Sequence, residues 1–179
     1  MMKDGFVFVV GGARSGKSTF AEQLGRRWTG PVTFVATAEA FDSDMANRIE
    51  MHQASRPNNW SMLENPLHPA EAVKSIPKNH FVIIDCLTVW VGNMMHRGAT
   101  EAQILVNAQE LVEVLVSHGS PSVVVSNEVG LGVHPETSLG REYRDTLGRV
   151  NSLVAYRAHR TLFMSSGQAF LLQDPMGLV

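Results

Sequence analysis

The chain has 179 residues, of which 44% are hydrophobic and 18% are charged, and its formal net charge is −2. This length suits one domain with a substantial core, and the lack of any basic block or stripe argues against a nucleic-acid surface. A single cysteine, Cys86, excludes an internal disulfide framework and is typical of a reducing cytoplasm. The N-terminal apolar segment is too short for a signal peptide or a membrane span.

The first half of the chain alternates short β-branched runs with helical patterns. Residues 6–10 predict a buried parallel strand that runs into Gly11, and residues 17–28 predict a helix with apolar side chains on one face. A second strand is predicted at residues 32–37. Residues 42–55 predict a helix that ends before Pro57, because the residue before a proline avoids the α region. A short strand at 60–64 and a modest helix at 66–76 follow.

The second half continues the alternation. Strands are predicted at residues 81–85 and 122–126, helices at 87–96, 101–118 and 138–159, and a closing pair of strands at 161–165 and 169–172 with a hairpin turn at Ser166 and Gly167. This order predicts an α/β fold over residues 1–179, a single domain with a mostly parallel central sheet and helices on both faces.

Four notable segments follow predicted strands directly: residues 11–18, 36–37, 85–86 and 127–128. Ligands bind to sheets of this kind at the carboxyl ends of the strands. We therefore expect these four segments to converge in space.

The first of these segments matches the phosphate-loop pattern GxxxxGK[ST], after a strand and before a helix. Its backbone N–H groups and the positive end of the following helix suit a phosphate, Lys17 would reach the β- and γ-phosphates, and Ser18 would bind Mg²⁺. The motif predicts a P-loop NTPase of RecA-like fold. The predicted nucleotide contacts here are Gly11, Gly12, Ala13, Arg14, Ser15, Gly16, Lys17 and Ser18.

Two further motifs each allow two interpretations. Asp85 ends an apolar strand, and it would either hold Mg²⁺ or cap the next helix. Arg48, His52 and Arg56 are four residues apart and would share a helix face. They form either an ordinary surface helix or a neutral imidazole nucleophile between two cations that bind polyphosphate.

Taken together, the motifs resemble one family, the bifunctional adenosylcobinamide kinase/adenosylcobinamide-phosphate guanylyltransferases. The resemblance runs from about Phe6 to Leu172. Its motifs are the phosphate loop, Ala36-Thr37-Ala38, the segment from Arg48 to Trp60, Asp85-Cys86-Leu87-Thr88, Asn127 to Pro135, and the helix from Arg141 to Asn151.

The resemblance implies two reactions in cobalamin synthesis. The first phosphorylates the aminopropanol hydroxyl of adenosylcobinamide with ATP or GTP. The second transfers GMP from GTP to that phosphate. It also implies Mg²⁺, a cytoplasmic enzyme, no nucleic-acid partner, and a homo-oligomer that is a trimer.

The resemblance also assigns residues. It makes His52 the guanylylated residue, with Lys17 as the other catalytic residue, and Met51 stands where some relatives have a second histidine. Asp85 stands where other relatives have Glu. Independently of the resemblance, the position of Glu64 close after the predicted histidine helix suggests that it accepts hydrogen bonds from the N1–H and N2–H₂ of guanine, which adenine cannot offer. Further nucleotide contacts fall on Ala36, Thr37, Ala38, Gln53, Ala54, Ser55 and Arg56.

Two features stay open at this stage. Asn127 and Glu128 begin a glycine-rich loop and are either a plain strand exit or lie near the γ-phosphate or the acceptor hydroxyl. The charged residues Arg141, Arg144, Asp145 and Arg149 are either solvated or contact the corrinoid phosphate or a neighbouring subunit. Two rival functions share the phosphate loop: a monofunctional small-molecule kinase and a RecA-like nucleotide switch module.

Overall fold

The computed structural model describes residues 5–39 and 56–172. In chain order the elements are β1 (Phe6–Gly11), α1 (Lys17–Arg27), β2 (Val32–Ala36), β3 (Ser61–Glu64), α2 (Pro69–Ser75), β4 (Phe81–Asp85), α3 (Leu87–His96), α4 (Glu101–His118), β5 (Ser122–Asn127), α5 (Ser138–Arg157), β6 (Arg160–Ser165) and β7 (Gln168–Leu172).

Seven strands form one sheet in the order β3-β2-β4-β5-β1-β6-β7. Every pair is parallel except β6 and β7, which are antiparallel. The two-residue turn between them has positive φ at Ser166 (51°) and Gly167 (77°), the geometry that a tight hairpin needs. The predicted mostly parallel sheet and the closing hairpin are confirmed.

Two apolar layers cover the two faces of the sheet. One contains α1 packed on Val9, Phe34 and Ile83, and the other contains α2 to α5 around Phe8, Ile84 and Trp90. Because β1, β2, β4 and β5 are covered on both faces, their sequences are continuously apolar rather than alternating. The prediction of helices on both faces is therefore confirmed.

Two predicted helix boundaries are wrong, each for a local reason. The helix expected at 66–76 begins only at Pro69, because the Asn65 side chain accepts the N–H of His68 at 2.7 Å and forms a turn there. The helix expected to reach residue 159 ends at Arg157, because the N–H of His159 donates to the carbonyl of Phe6 at 2.9 Å as the chain joins the sheet. The helix predicted at 42–55 lies outside the described residues.

Candidate active site

The phosphate loop connects β1 to α1, and two of its glycines are required by geometry. A Cβ on Gly11 would lie 2.1 Å from the carbonyl oxygen of Met164 on the adjacent strand. Gly16 has φ of 96°, a left-handed conformation that side chains disfavour. The N–H of Gly167 in the β6–β7 turn donates to the Ser15 carbonyl at 3.0 Å. The loop is thus supported from the sheet and from the hairpin.

Lys17 extends over this loop although its side chain is largely buried. The residue is 6% exposed, and its Nζ donates to the Gly12 carbonyl at 2.6 Å and lies 3.4 Å from Ser15 Oγ. Burial lowers the pKa of Lys17, while the nearby Asp85 carboxylate acts in the opposite direction. The ammonium group is therefore held at the mouth of the loop, where it would meet a phosphate.

Asp85 ends β4 beside this lysine. Its carboxylate interacts electrostatically with both Lys17 and Arg56. Cys86, not Asp85, occupies the N-cap position of α3. The interpretation of Asp85 as a helix cap is therefore wrong, and its carboxylate lies near two cations at the end of β4.

Thr37 joins the end of β2 to the end of β4. Its hydroxyl donates to the Cys86 carbonyl at 2.7 Å and accepts the Cys86 N–H at 2.8 Å. The Asn93 amide in turn donates to the carbonyls of Thr37 at 2.7 Å and Pro66 at 3.1 Å. Sequence reasoning missed Asn93, and its only sequence signal was an amide within the mostly apolar run of α3.

Cys86 itself is not a nucleophile. Burial raises the pKa of its thiol to about 12, and the Asp85 carboxylate contributes in the same direction. A thiol with such a pKa is protonated at neutral pH and therefore unreactive. This agrees with the sequence-based interpretation of Cys86 as a small packing residue.

The end of β5 lies directly against the phosphate loop. The Glu128 N–H donates to the Gly11 carbonyl at 2.9 Å, and the Asn127 N–H donates to Thr88 Oγ1 at 2.6 Å. The Asn151 amide of α5 holds the Asn127 carbonyl at 2.9 Å. The four strand-end segments predicted to converge therefore do converge.

Arg56 lies against the sheet. Its guanidinium carbon is 3.6 Å from the centroid of the Phe34 ring, and its Nε is 3.7 Å from Glu22 Oε1. Burial lowers the pKa of Arg56, and the carboxylates of Asp85 and Glu22 oppose that effect. Arg56 thus brings a second positive charge near Asp85. The other predicted residues of this segment lie outside the described residues: Arg48, His52, Gln53, Ala54 and Ser55.

Comparison with known proteins decides which family the chain belongs to. Residues 7–172 match the family model described as cobinamide kinase / cobinamide phosphate guanyltransferase. The chain belongs to this family. It is 38% identical over 161 residues to the bifunctional adenosylcobalamin biosynthesis protein CobP of Pseudomonas aeruginosa, covering 89% of this chain and 92% of the relative. It is 36% identical over 174 residues to the protein CobU of Escherichia coli, covering 90% and 96%.

A solved structure shows the same fold. A KaiC-like protein from Pyrococcus horikoshii has a TM-score of 0.53 at 17% identity, and the match covers 93% of this chain and 74% of that protein. The predicted P-loop NTPase fold is confirmed, as are the predicted family and its enzymatic character. Within residues 5–39 and 56–172, no helix is both long and apolar enough to cross a membrane.

The sheet register places Glu64 and Asp85 on either side of the same residue of β2. Ala36 on β2 pairs with Glu64 on β3 and with Asp85 on β4, so the three residues form one row across the sheet. Two strand spacings put the Cα atoms of Glu64 and Asp85 roughly 10 Å apart. Glu64 is exposed at the end of its strand, and Ala38 follows β2 in the same region. A nucleobase bound near this row of three residues would be within reach of the Glu64 carboxylate.

The predicted Mg²⁺ ligands also fit this arrangement. Ser18 lies in the first turn of α1 and Asp85 is at the end of β4, and both are partly buried. Among the described residues no group of three or more His, Cys, Asp or Glu side chains is placed to hold a metal. One hydroxyl and one carboxylate suit Mg²⁺, which is commonly bound by one or two protein oxygens together with substrate phosphates and waters.

The charged residues of α5 are engaged in local contacts. Arg144 binds Asp145 at 2.8 Å and His134 Nδ1 at 2.8 Å. Arg149 is ion-paired with Glu101 of α4. Arg141 donates to the carbonyls of Pro135 and Glu136. The contacts of Arg141 and the Arg144–His134 contact fix the loop after β5 on the surface of α5.

Proposed function

We propose that this chain phosphorylates the hydroxyl of adenosylcobinamide with ATP or GTP and then transfers GMP from GTP to the new phosphate. The products of the second step are adenosylcobinamide-GDP and pyrophosphate. Membership of the cobinamide kinase/guanyltransferase family supports both reactions. The structural observation that carries the proposal is the placement of the Lys17 ammonium over the phosphate loop beside the Asp85 carboxylate.

In the kinase step, the loop positions the triphosphate. Backbone N–H groups of the loop and the N-terminus of α1 bind phosphate oxygens, and Lys17 neutralises charge on the β- and γ-phosphates. Ser18 and Asp85 would hold Mg²⁺, which supplies further positive charge to the polyphosphate when bound. The acceptor hydroxyl attacks the γ-phosphorus and displaces the nucleoside diphosphate.

In the second step, a ring nitrogen of His52 would attack the α-phosphorus of GTP. A P–N bond forms, the bond to the β-phosphate oxygen breaks, and pyrophosphate leaves. A phosphate oxygen of adenosylcobinamide phosphate then attacks the same phosphorus, the P–N bond breaks, and His52 is regenerated. Support for this role comes from the spacing of Arg48, His52 and Arg56 and from the family resemblance.

Arg56 supports the second step electrostatically. Its guanidinium is held by Phe34 and Glu22 and lies close enough to Asp85 for the two charges to interact. A fixed cation at this point would stabilise the negative charge that develops on the transferred phosphoryl group. Because the side chain is already positioned, little reorganisation is needed when the charge develops.

Covalent labelling tests the histidine mechanism. The wild-type protein is incubated with α-³²P-GTP and Mg²⁺, and we expect acid-labile radioactivity on the protein that adenosylcobinamide phosphate discharges. His52→Ala should abolish the label and GMP transfer while retaining kinase turnover. His68→Ala, which removes an exposed histidine at the N-cap of α2, is the matched control and should label normally. Unlabelled wild-type protein with intact kinase turnover would instead support a monofunctional kinase.

We also propose a homo-oligomeric cytoplasmic enzyme, with the trimer that the resemblance implies. The edge strand β7 supports association, because Phe170, Leu171 and Leu172 are exposed large hydrophobic residues on an outer strand. Light scattering of the purified protein would measure the mass. A monomer at micromolar concentration would contradict the proposal.

A further inference from the structure

A cavity of about 470 Å³ lies on the outer face of α5, and the nucleotide site described above does not use it. It is open to solvent, and its walls include two arginines and two glycines. The residues that line it are Gly130, Arg144, Asp145, Gly148, Arg149 and Ser152.

The cavity is adjacent to the phosphate loop. Gly130 forms part of its wall, and the Gly130 N–H donates to the Glu128 carboxylate at 2.6 Å. The N–H of Glu128 donates to the carbonyl of Gly11 in the phosphate loop at 2.9 Å. Two residues of chain span at most about 7 Å, so the cavity lies close to the phosphate loop.

Gly148 is a glycine that the fold does not require. It lies inside the 20-residue helix α5, where glycine costs about 1 kcal/mol relative to alanine. A Cβ added there would meet no atom within 4 Å, so no neighbouring element demands its small size. Instead Gly148 lines the cavity, and its missing side chain leaves helix backbone accessible to a ligand.

Two guanidinium groups and one carboxylate, that of Asp145, line the cavity. Arg149 is more than half exposed although it is paired with Glu101, and Arg144 is held by Asp145 and His134. These contacts orient the two guanidinium groups, which belong to residues about one and a half helical turns apart on α5. Guanidinium groups bind phosphate oxygens through paired charge-assisted hydrogen bonds.

Beside the cavity, the loop after β5 carries unusually exposed apolar residues. Leu131 is 78% exposed and Val133 is 94% exposed, and the Arg144–His134 contact ties this loop to α5. An apolar tip next to a cavity lined by two arginines suits a large ligand that has both an apolar body and a phosphate.

We infer that the α5 cavity, together with Leu131 and Val133, is the docking site for the corrinoid acceptor, and that Arg144 and Arg149 bind the phosphate of adenosylcobinamide phosphate. This inference rests on the proposed function. The macrocycle packs on the loop tip, and its aminopropanol arm runs past Gly130 into the cavity, which brings the phosphate to Arg144 and Arg149.

Three variants test the inference, each with a separate expectation. Gly148→Leu fills the cavity and should raise the KM of both corrinoid acceptors at least tenfold. Arg149→Ala should raise the KM of adenosylcobinamide phosphate about tenfold, because the variant loses one charge-assisted hydrogen bond to the phosphate. The KM of adenosylcobinamide, which has no such phosphate, should be almost unchanged. The double variant Leu131→Ser, Val133→Ser should weaken both acceptors equally.

Two matched controls accompany them. Arg157→Ala removes an exposed arginine from the last turn of the same helix, and Gly92→Ala adds a methyl group to a helical glycine in α3. Both controls should keep wild-type KM values. Affinity for a fluorescent GTP analogue and the circular dichroism spectrum, measured for every variant, should be unchanged, which shows that folding and the nucleotide site are intact.

The outcomes separate the two proposals. If the wild-type protein does not turn over adenosylcobinamide or its phosphate, the proposed function fails. If it does, and Gly148→Leu and Arg149→Ala keep wild-type KM values for both acceptors, the docking site is wrong. A change in oligomeric mass by light scattering, with loss of activity towards both acceptors in Arg149→Ala, would also overturn it, because the cavity would then be a subunit contact.

Discussion

The Thr37 hydroxyl makes two hydrogen bonds to the backbone of Cys86, donating to its carbonyl at 2.7 Å and accepting from its N–H at 2.8 Å. Thr37 is fully buried, so water cannot replace either bond. We expect Thr37→Val, which keeps the shape but removes the hydroxyl, to lower the free energy of unfolding by about 2 kcal/mol in urea titrations. The two activities should also fall, because Cys86 is joined to Asp85.

Thr37→Ser is the control for this prediction. It keeps the hydroxyl and loses only a methyl group, so it should retain most of the stability and activity. A Thr37→Val variant as stable as the wild type would show that the two hydrogen bonds to Cys86 do not stabilise the fold.

Adjacent glycines in the phosphate loop should respond differently to alanine. A Cβ on Gly11 would lie 2.1 Å from the Met164 carbonyl, a backbone atom that cannot move away without disturbing β6, whereas a Cβ on Gly12 meets nothing within 4 Å. We expect Gly11→Ala to lower the free energy of unfolding by about 3 kcal/mol or to prevent folding. Gly12→Ala should unfold like the wild type. Urea denaturation of both variants measures the difference, and equal stabilities would contradict it.

Most of the fold was predictable because the buried strands are continuous apolar runs bounded by glycine and proline. The sequence also predicted which strand ends would meet, since parallel strands place their carboxyl ends at one edge. It did not predict the Asn93–Thr37–Cys86 connection, because such hydrogen bonds depend on the register between β2 and β4 and not on local sequence. The end of α5 was missed for the same reason: a contact with Phe6, distant in sequence, ends the helix.

Glu64 is expected to select guanine in the second step. Its carboxylate, in the row with Ala36 and Asp85, would accept hydrogen bonds from N1–H and N2–H₂, and inosine lacks the second donor. We expect wild-type GMP transfer to prefer GTP over inosine triphosphate, and Glu64→Ala to reduce that preference about tenfold. Glu71→Ala, an exposed carboxylate on α2, is the control. If Glu64→Ala prefers GTP over inosine triphosphate as strongly as the wild type does, Glu64 does not select guanine.

Finally, the buried Lys17 should make stability depend on pH in a defined direction. Burial lowers its pKa in the folded protein below the ordinary value of 10.5. Between the folded-state pKa and 10.5, the unfolded chain binds a proton that the folded protein has released, so the wild type gains stability as the pH rises through this window. Lys17→Met lacks this titration and should lose both activities.

Without nucleotide, Lys17→Met should therefore be at least as stable as the wild type at pH 7, and the difference should narrow as the pH approaches 10.5. Urea denaturation of both proteins at the same series of pH values measures the difference between their free energies of unfolding. The contributions of the other ionisable groups cancel in this difference. A less stable Lys17→Met at pH 7 would mean that the bonds from Nζ to Gly12 and Ser15 outweigh the cost of burying the charge. In that case the lysine would stabilise the empty loop as well as bind phosphate.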